Sequence, residues 1–371
     1  MKKIAVIGAG VFGCEISIQL AKRGFQVTLI EKERDILLGA TSRSVLRLHL
    51  GFHYPRDLDT AIQSRLGYRR FLERFPASID LNFDNFYALA KVGSRVNQLQ
   101  FLRFSQAAGL QMSQVPLDTP ALSNFATDRV QSVYCNKEGV INVENLRKQF
   151  LQEMNEFRVE KRFNSEILKV CLISGKWITT DYNNMELDFD FVVRATYGHD
   201  RIKFLRAGGG LFSRKFEFQH TLVLDVDVKI SRIGMTVIDG DFLTVLPKAN
   251  QEGHLIYAPA PSVMGRYVGE EYPPSWDSIA DGMISMSESA IKNRFKEWFK
   301  SDDPVTVRNR LVTIRAIDSE VKETDRRVSQ VYMRAKHFID VNSGKIDHCV
   351  GIATDVVDIV SNCLGHSEKV F

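Results

Sequence analysis

Near the start of the chain, Gly8-Ala9-Gly10-Val11-Phe12-Gly13 spells G-x-G-x-x-G. That spacing is suited to holding a dinucleotide by its phosphates. Gly8 permits a tight turn, Gly10 lets the backbone approach a pyrophosphate, and Gly13 lets a helix pack closely on a strand. The free N–H groups of a helix beginning at Val11 and Phe12 offer partial positive charge to the phosphates. Glu31, followed by Lys32, stands 18 residues after Gly13. A carboxylate there can accept hydrogen bonds from a ribose diol and repels a 2′-phosphate, which argues against NADP. Elsewhere, His49, His53, Tyr54 and Tyr257 could take a proton. Lys345 could stabilise developing negative charge. Thr324-Asp325-Arg326-Arg327 offers guanidinium groups able to grip a carboxylate.

The elements needed to position the first motif are legible around it. Residues 3–7 read as a short buried parallel strand, Val11 to about Arg23 as a helix ended by Gly24, and 26–30 as a second strand with Glu31 at its carboxyl end. The motif alone does not separate NAD from FAD. Beyond it, apolar spacing predicts a helix over Asp57–Phe75 carrying Arg65, Arg69, Arg70 and Arg74 on a solvated face. A strand is expected at 86–90, a helix capped by Ser94 and ending near Ala108, a helix near 144–156, and paired strands at 166–172 and 176–180. From Phe212 the pattern changes to strands at 216–228, 233–238, 242–247 and 254–259, with a hairpin at Asp239-Gly240. An amphipathic helix with a core-facing stripe spans Ile279–Lys300, including Met283 and Met286. Strands follow at 305–316 and 328–334, and a last helix runs to about Cys363, capped by Gly365.

Composition limits the rest. With 371 residues, 44% hydrophobic and 25% charged, the chain is neither disordered nor fibrous, and its length suits two connected domains. A net charge of +4 does not predict nucleic-acid binding. The longest uncharged stretch, Phe104–Leu117, has 14 residues, so no membrane insertion is expected. Met1-Lys2-Lys3 before an apolar run superficially looks like a signal peptide, but a first strand explains that run. Five scattered cysteines without a C-x-x-C suggest neither a disulfide framework nor a metal site, and a cytoplasmic setting is expected.

Past Glu31, the polar loop Leu38-Gly39-Ala40-Thr41-Ser42-Arg43-Ser44 and the run Arg47-Leu48-His49-Leu50-Gly51-Phe52-His53-Tyr54-Pro55-Arg56 replace the continued winding of a simple NAD domain. Here the chain resembles the D-amino acid oxidase superfamily of FAD-dependent oxidoreductases, which includes glycine oxidase, sarcosine oxidase and L-2-hydroxyglutarate dehydrogenase. The segment Asp188–Gly198 resembles that family's Asp-x-Val-Val-x-Ala-x-Gly strand, lengthened by Tyr197. Ser343–Asp347 resembles the lead-in to a last helix that points its N-terminus at the flavin. Thr324–Arg327 resembles a Thr-Asp-x-Arg turn, matching Arg327.

The resemblance implies an α/β fold, with a Rossmann-like FAD-binding domain (1–79, 139–210 and 326–371) interwoven with an antiparallel-sheet α+β substrate domain (80–138 and 211–325). It implies FAD as cofactor, held by the first motif and by Thr41, Ser42, Arg43, Arg47, Leu48, His49, Ile167, Thr196, Tyr197, Gly198, Gly344, Lys345, Ile346 and Asp347. The expected reaction removes hydride from a C–N or C–O carbon of a small amino acid, amine or 2-hydroxy acid. Arg327 would anchor a carboxylate, Lys345 would sit by the flavin, and His49, Tyr54 or Tyr257 is the candidate base. An amino sugar or another biosynthetic intermediate as substrate, an NAD-dependent dehydrogenase, a flavin domain of a tRNA-modifying enzyme, a non-catalytic flavoprotein and self-association stay open.

Overall fold

The strand Lys3–Ile7 is buried from Ile4 onward and Gln26–Ile30 from Val27 onward, as strands covered on both faces must be. They pair in parallel with Val6 opposite Leu29. Parallel neighbours need a crossover, and the helix Val11–Lys22 supplies it, starting at Gly10 and ending at Arg23 before Gly24 at φ 86°. In the computed structural model, which describes residues 1–198, 202–205, 215–270, 272–276, 278–301, 303–319 and 325–365, this unit is the heart of a six-stranded sheet. Its order is Gln330–Ala335, Phe338–Asn342, Phe191–Arg194, Lys3–Ile7, Gln26–Ile30, Glu160–Arg162, all parallel except the first strand. Thr324, Glu320 and Glu323 lie outside the described residues.

Helices Val11–Lys22, Leu58–Arg74, Val143–Glu156 and Cys349–Leu364 share one core that includes Ile16, Leu20, Phe71, Phe75, Phe150 and Val356. Glu15 is wholly buried in it. Arg74 donates to Glu15 at 3.0 Å and to Glu153 at 2.6 Å. The expected solvated arginine face therefore needs correction: Arg69 and Arg70 are exposed, but Arg74 neutralises a buried carboxylate.

A nine-stranded sheet forms the other wall. It runs Val263–Gly269, Phe216–Asp227, His254–Tyr257, Thr244–Pro247, Ile233–Ile238, Asp84–Ala90, Val130–Asn136 and Ser113–Val115, with Thr306–Asp318 on the free side of Phe216–Asp227. The Asp239-Gly240 hairpin joins Ile233–Ile238 to Thr244–Pro247 as expected. Ile233–Ile238 also lies parallel to Asp84–Ala90, so distant segments of the chain complete one sheet. A four-stranded and a three-stranded sheet fill in beside these walls. The former holds the antiparallel pair Ile167–Ile173 and Lys176–Asp181, and the latter joins Arg47–Leu48, Gly139–Ile141 and Ile79–Asp80.

Two helix readings change. Asn97, not Ser94, caps Gln98–Ala107, through a reciprocal capping box with Gln100. Ser94 instead accepts from the Asp239 N–H at 3.2 Å. In helix Asp281–Trp298 the buried face is Ser287, Ile291, Phe295 and Trp298. Met286, one residue round the helix from Ser287, is exposed, and so is Met283.

Gly13 is held by contact rather than by conformation: a Cβ there would meet the Gly8 carbonyl oxygen at 1.8 Å. At Gly10 it would meet only Thr41 Oγ1, at 3.6 Å. Gly13→Ala should therefore lose about 1–3 kcal/mol of stability, whereas Gly10→Ala should leave the Tm of the unliganded protein within about a degree. Thermal unfolding of the two variants side by side checks this.

Candidate active site

Between the two large sheets runs a cavity of about 340 Å³. At one end lie the turn Gly8, Gly10, Val11 and Phe12, and beside it Glu31, Lys32 and Glu33. Thr41, Arg43, Ser44 and Arg47 line its middle. His49, His53, Thr196, Tyr197, Tyr257, Arg315 and the loop Ser343–Ile346 close the other end, and Ile167 also lines it. The six-stranded sheet contributes Ile7 and Ile30, and the nine-stranded sheet contributes Thr221, Val223, Thr244, Tyr257, Thr313 and Arg315.

Several of the expected site residues do not line it. Gly13 packs beneath the turn. Leu48 is fully buried in the core while its neighbour Arg47 faces the cavity, as alternation along a strand dictates. The Ser42 hydroxyl donates to the Gly39 carbonyl at 3.3 Å, closing its own loop. Gly198 accommodates the strand Thr306–Asp318, since a Cβ there would meet Ile314 at 3.1 Å. Asp347 is wholly buried behind the loop. Tyr54 is almost fully buried behind His49 and His53, its ring centroid 6.1 and 5.3 Å from theirs. Arg327 stands outside the lining, its backbone carbonyl pressed so close to the loop that a Cβ on Gly344 would meet it at 1.7 Å.

At the glycine end, Glu31 accepts from the Ala9 N–H at 2.6 Å and from the Glu33 N–H at 3.0 Å. Burial nevertheless pushes its carboxyl up. Thr41 Oγ1 accepts from the Val11 N–H at 3.2 Å, using one of the free donors at the helix start.

In the middle, Arg47 is buried among groups from three segments. It donates to Tyr87 OH at 2.6 Å and to Thr236 Oγ1, and it lies 3.7 Å from Glu138. Tyr87 donates to Glu138 at 2.9 Å, and the Leu50 N–H donates to the same carboxylate at 2.7 Å.

At the far end, Lys345 Nζ lies 3.3 Å from His49 Nε2 and 4.7 Å from the centre of the Tyr54 ring. Burial first, and the nearby Lys345 and Arg47 charges second, push His49 well below its ordinary value, and the same causes act on His53. His49 is thus neutral, and its Nε2 accepts from Lys345. Lys345 is itself pushed down by burial and by Arg327, while Asp347 is pushed up by burial. Behind the loop, the Gly344 N–H donates to Ser329 Oγ at 2.7 Å. That leaves the Ser329 hydroxyl hydrogen for His348 Nδ1 at 2.9 Å, and His348 Nε2–H for Ser64 Oγ at 3.2 Å.

Arg315, Glu138 and Tyr87 are absent from the sequence-based expectations. Arg315 carries a signal, since it is a lone charge inside the otherwise uncharged, mostly apolar strand run Leu311–Ile317. Glu138 carries none.

A family model described as "FAD dependent oxidoreductase" matches residues 3–320. The chain belongs to this DAO family of FAD-dependent oxidoreductases. It is an enzyme and its cofactor is FAD, which removes the NAD-dependent and non-catalytic readings. Among relatives, FAD-dependent monooxygenase FPY4 of Fusarium mangiferae is 25% identical over 355 residues, 93% of this chain and 87% of that protein. FAD-dependent monooxygenase kojA of Aspergillus flavus is 35% identical over 74 residues, 20% of this chain and 17% of that protein. Glycine oxidase from Geobacillus kaustophilus superposes with a TM-score of 0.71 at 12% identity, covering 100% of this chain and 97% of that one. L-alpha-glycerophosphate oxidase from Mycoplasma pneumoniae, with FAD bound, gives 0.70 at 14% identity, covering 97% and 95%. These two show the shared fold.

The cavity suits the cofactor of this family. Space over Gly10 is open, and the cavity continues past Arg47 to the Ser343–Ile346 loop. The buried Nδ1 atoms of His49 and His53 lack partners among the described residues. Among the described residues no cluster could hold a metal ion, and no helix is long and apolar enough to cross a membrane.

His348 links this site to pH. Burial lowers it from 6.5 to about 3, so the folded protein keeps it neutral while the unfolded chain protonates it below about 6.5. Stability from this group is complete above that pH and lost as pH falls towards 3, by up to about 1.4 kcal/mol per unit. His348→Gln should flatten the decline of Tm between pH 6.5 and 4, measured against the parent protein.

Proposed function

We propose that this oxidoreductase takes hydride from the nitrogen- or oxygen-bearing carbon of a small anionic substrate, an amino acid, a carboxylate-bearing amine or a 2-hydroxy acid. The observation that carries this reading is the far end of the cavity, where the neutral His49, its partner Lys345 and Tyr257 share a pocket with the Arg315 guanidinium. FAD, when bound, supplies the hydride acceptor. In this reading the Gly8–Phe12 turn holds the pyrophosphate, Glu31 the ribose, and Arg43, Arg47 and the Ser343–Ile346 loop the remainder. Residues 1–79, 139–210 and 326–371 would then form the cofactor domain, and 80–138 and 211–325 the substrate domain. Substrate lies against Tyr257 and Arg315, with its carboxylate turned towards Arg327 behind the lining. A proton leaving the substrate nitrogen or oxygen is taken at Lys345 Nζ, whose partner His49 Nε2 keeps it oriented. Tyr54 serves as packing, because burial holds its phenol protonated. The free state of all five cysteines supports a reducing, cytoplasmic setting.

A second reading, monooxygenation, is favoured by the names of the FPY4 and kojA relatives. The two differ in what reduces the flavin. Mixed anaerobically with amino acids, N-methyl amines, 2-hydroxy acids and amino sugars, the yellow protein should bleach with a member of the first three groups. Bleaching by NADPH alone, and by none of these compounds, would establish the monooxygenase instead. With the bleaching substrate in hand, Arg327→Leu should retain FAD and raise KM by roughly two to three powers of ten, for a loss of about 3–4 kcal/mol. An unchanged KM would remove the carboxylate anchor.

A further inference from the structure

Most guanidinium groups packed into this protein meet a carboxylate. Arg47 has Glu138 at 3.7 Å, Arg74 has Glu15 at 3.0 Å, and Arg194 has Asp340 at 2.7 Å. Two do not. Among the described residues, neither Arg315 nor Arg327 has a carboxylate in ion-pair contact. Arg315 is held by a neutral acceptor, Gln219 Oε1, which takes both its Nε and its Nη2. Gln219 leans in turn on Glu217 at 2.6 Å, and that carboxylate is already answered by Arg266 at 2.8 Å. Asp325, next but one to Arg327, is engaged by Arg56.

The remaining neighbours do not offset these charges. Tyr54, Tyr197 and Tyr257 surround the two arginines with phenol rings rather than carboxylates. The Arg315 guanidinium lies 5.7 Å from the centre of the Tyr257 ring, at the cavity wall. Arg327 feels Arg315, and this like charge adds to burial in pushing Arg327 below its ordinary value. One unanswered cation at the pocket wall and a second behind it are costly in the free protein, and an anion in the pocket would relieve them. A single carboxylate would balance one and leave the other exposed to its repulsion.

We propose that the substrate carries two negative charges, as a phosphate monoester or a dicarboxylate does, and that Arg315 selects for the second. This rests on the proposed oxidation of an anionic substrate, but it is tested without turnover. The FAD-loaded protein is titrated calorimetrically with acetate, malonate and methyl phosphate at pH 7.5. At least one dianion should bind about tenfold to a hundredfold more tightly than acetate, as a hydrogen-bonded charge pair would give. Methyl phosphate in the lead identifies a phosphate ester, and malonate a dicarboxylate. Arg315→Leu should bring the ratio of dianion to acetate affinity to within about twofold of unity, while flavin absorbance shows that the variant is folded and loaded. Equal binding of acetate and both dianions by the parent protein would overturn the proposal, as would no binding of any of them. So would a preference that survives in Arg315→Leu. Failure of every substrate to bleach the flavin would instead overturn the oxidation reading and leave these affinities standing.

Discussion

A guanidinium stripped of water must find its counter-charge inside the protein, and Arg47 finds it across the seam between the two large sheets. Its own segment lies beside the dinucleotide turn. Its partners come from Asp84–Ala90, from Ile233–Ile238 and from the connection after Val130–Asn136. Removing one member of so buried a pair typically costs about 3–5 kcal/mol, so the seam is closed by a contact that tolerates little movement. Glu138 also takes the Leu50 N–H, which fixes the backbone on the far side of His49. The side chains at the cavity end hang from a segment with almost no regular structure, and this cluster stands in for a strand or helix in holding them.

Positive charge then organises the far end. Arg47, Arg315, Arg327 and Lys345 crowd one pocket, and their joint effect with burial is to keep His49 and His53 uncharged. The carboxyl that could have offset them, Asp347, is wholly buried, and burial favours its protonated form. The site therefore gathers neutral hydrogen-bonding groups within a cationic field. That arrangement attracts an anion and still leaves nitrogen atoms able to accept a proton.

How much of this could be read in the chain depends on the range of the interaction. The first strand, turn, helix and second strand are set by local spacing, and so are the helix over Leu58–Arg74 and the hairpin at Asp239-Gly240. The parallel pairing of Asp84–Ala90 with Ile233–Ile238 joins segments too far apart for any local pattern to announce. At the site, Gly13 is required by the close packing its spacing announces, whereas Gly198 misleads, being required by the strand packed against it and not by a ligand. Leu48 and Asp347 adjoin lining residues and point the other way. Arg315 was visible only as a charge out of place in a mostly apolar strand run, and Glu138, beside Gly139, had no pattern around it at all.

The strand Thr306–Asp318 keeps one unbroken register with Phe216–Asp225, with Arg315 opposite Gln219, and shifts only beyond it, between Asp225 and Val226. A side chain on such a rail cannot travel along the cavity to meet a short ligand, and it cannot retreat from a long one. The gap between Arg315 and Lys345 is thereby a gauge built into the sheet. A homologous series that differs by single methylene units would be sorted by length before any difference in chemical reactivity was felt.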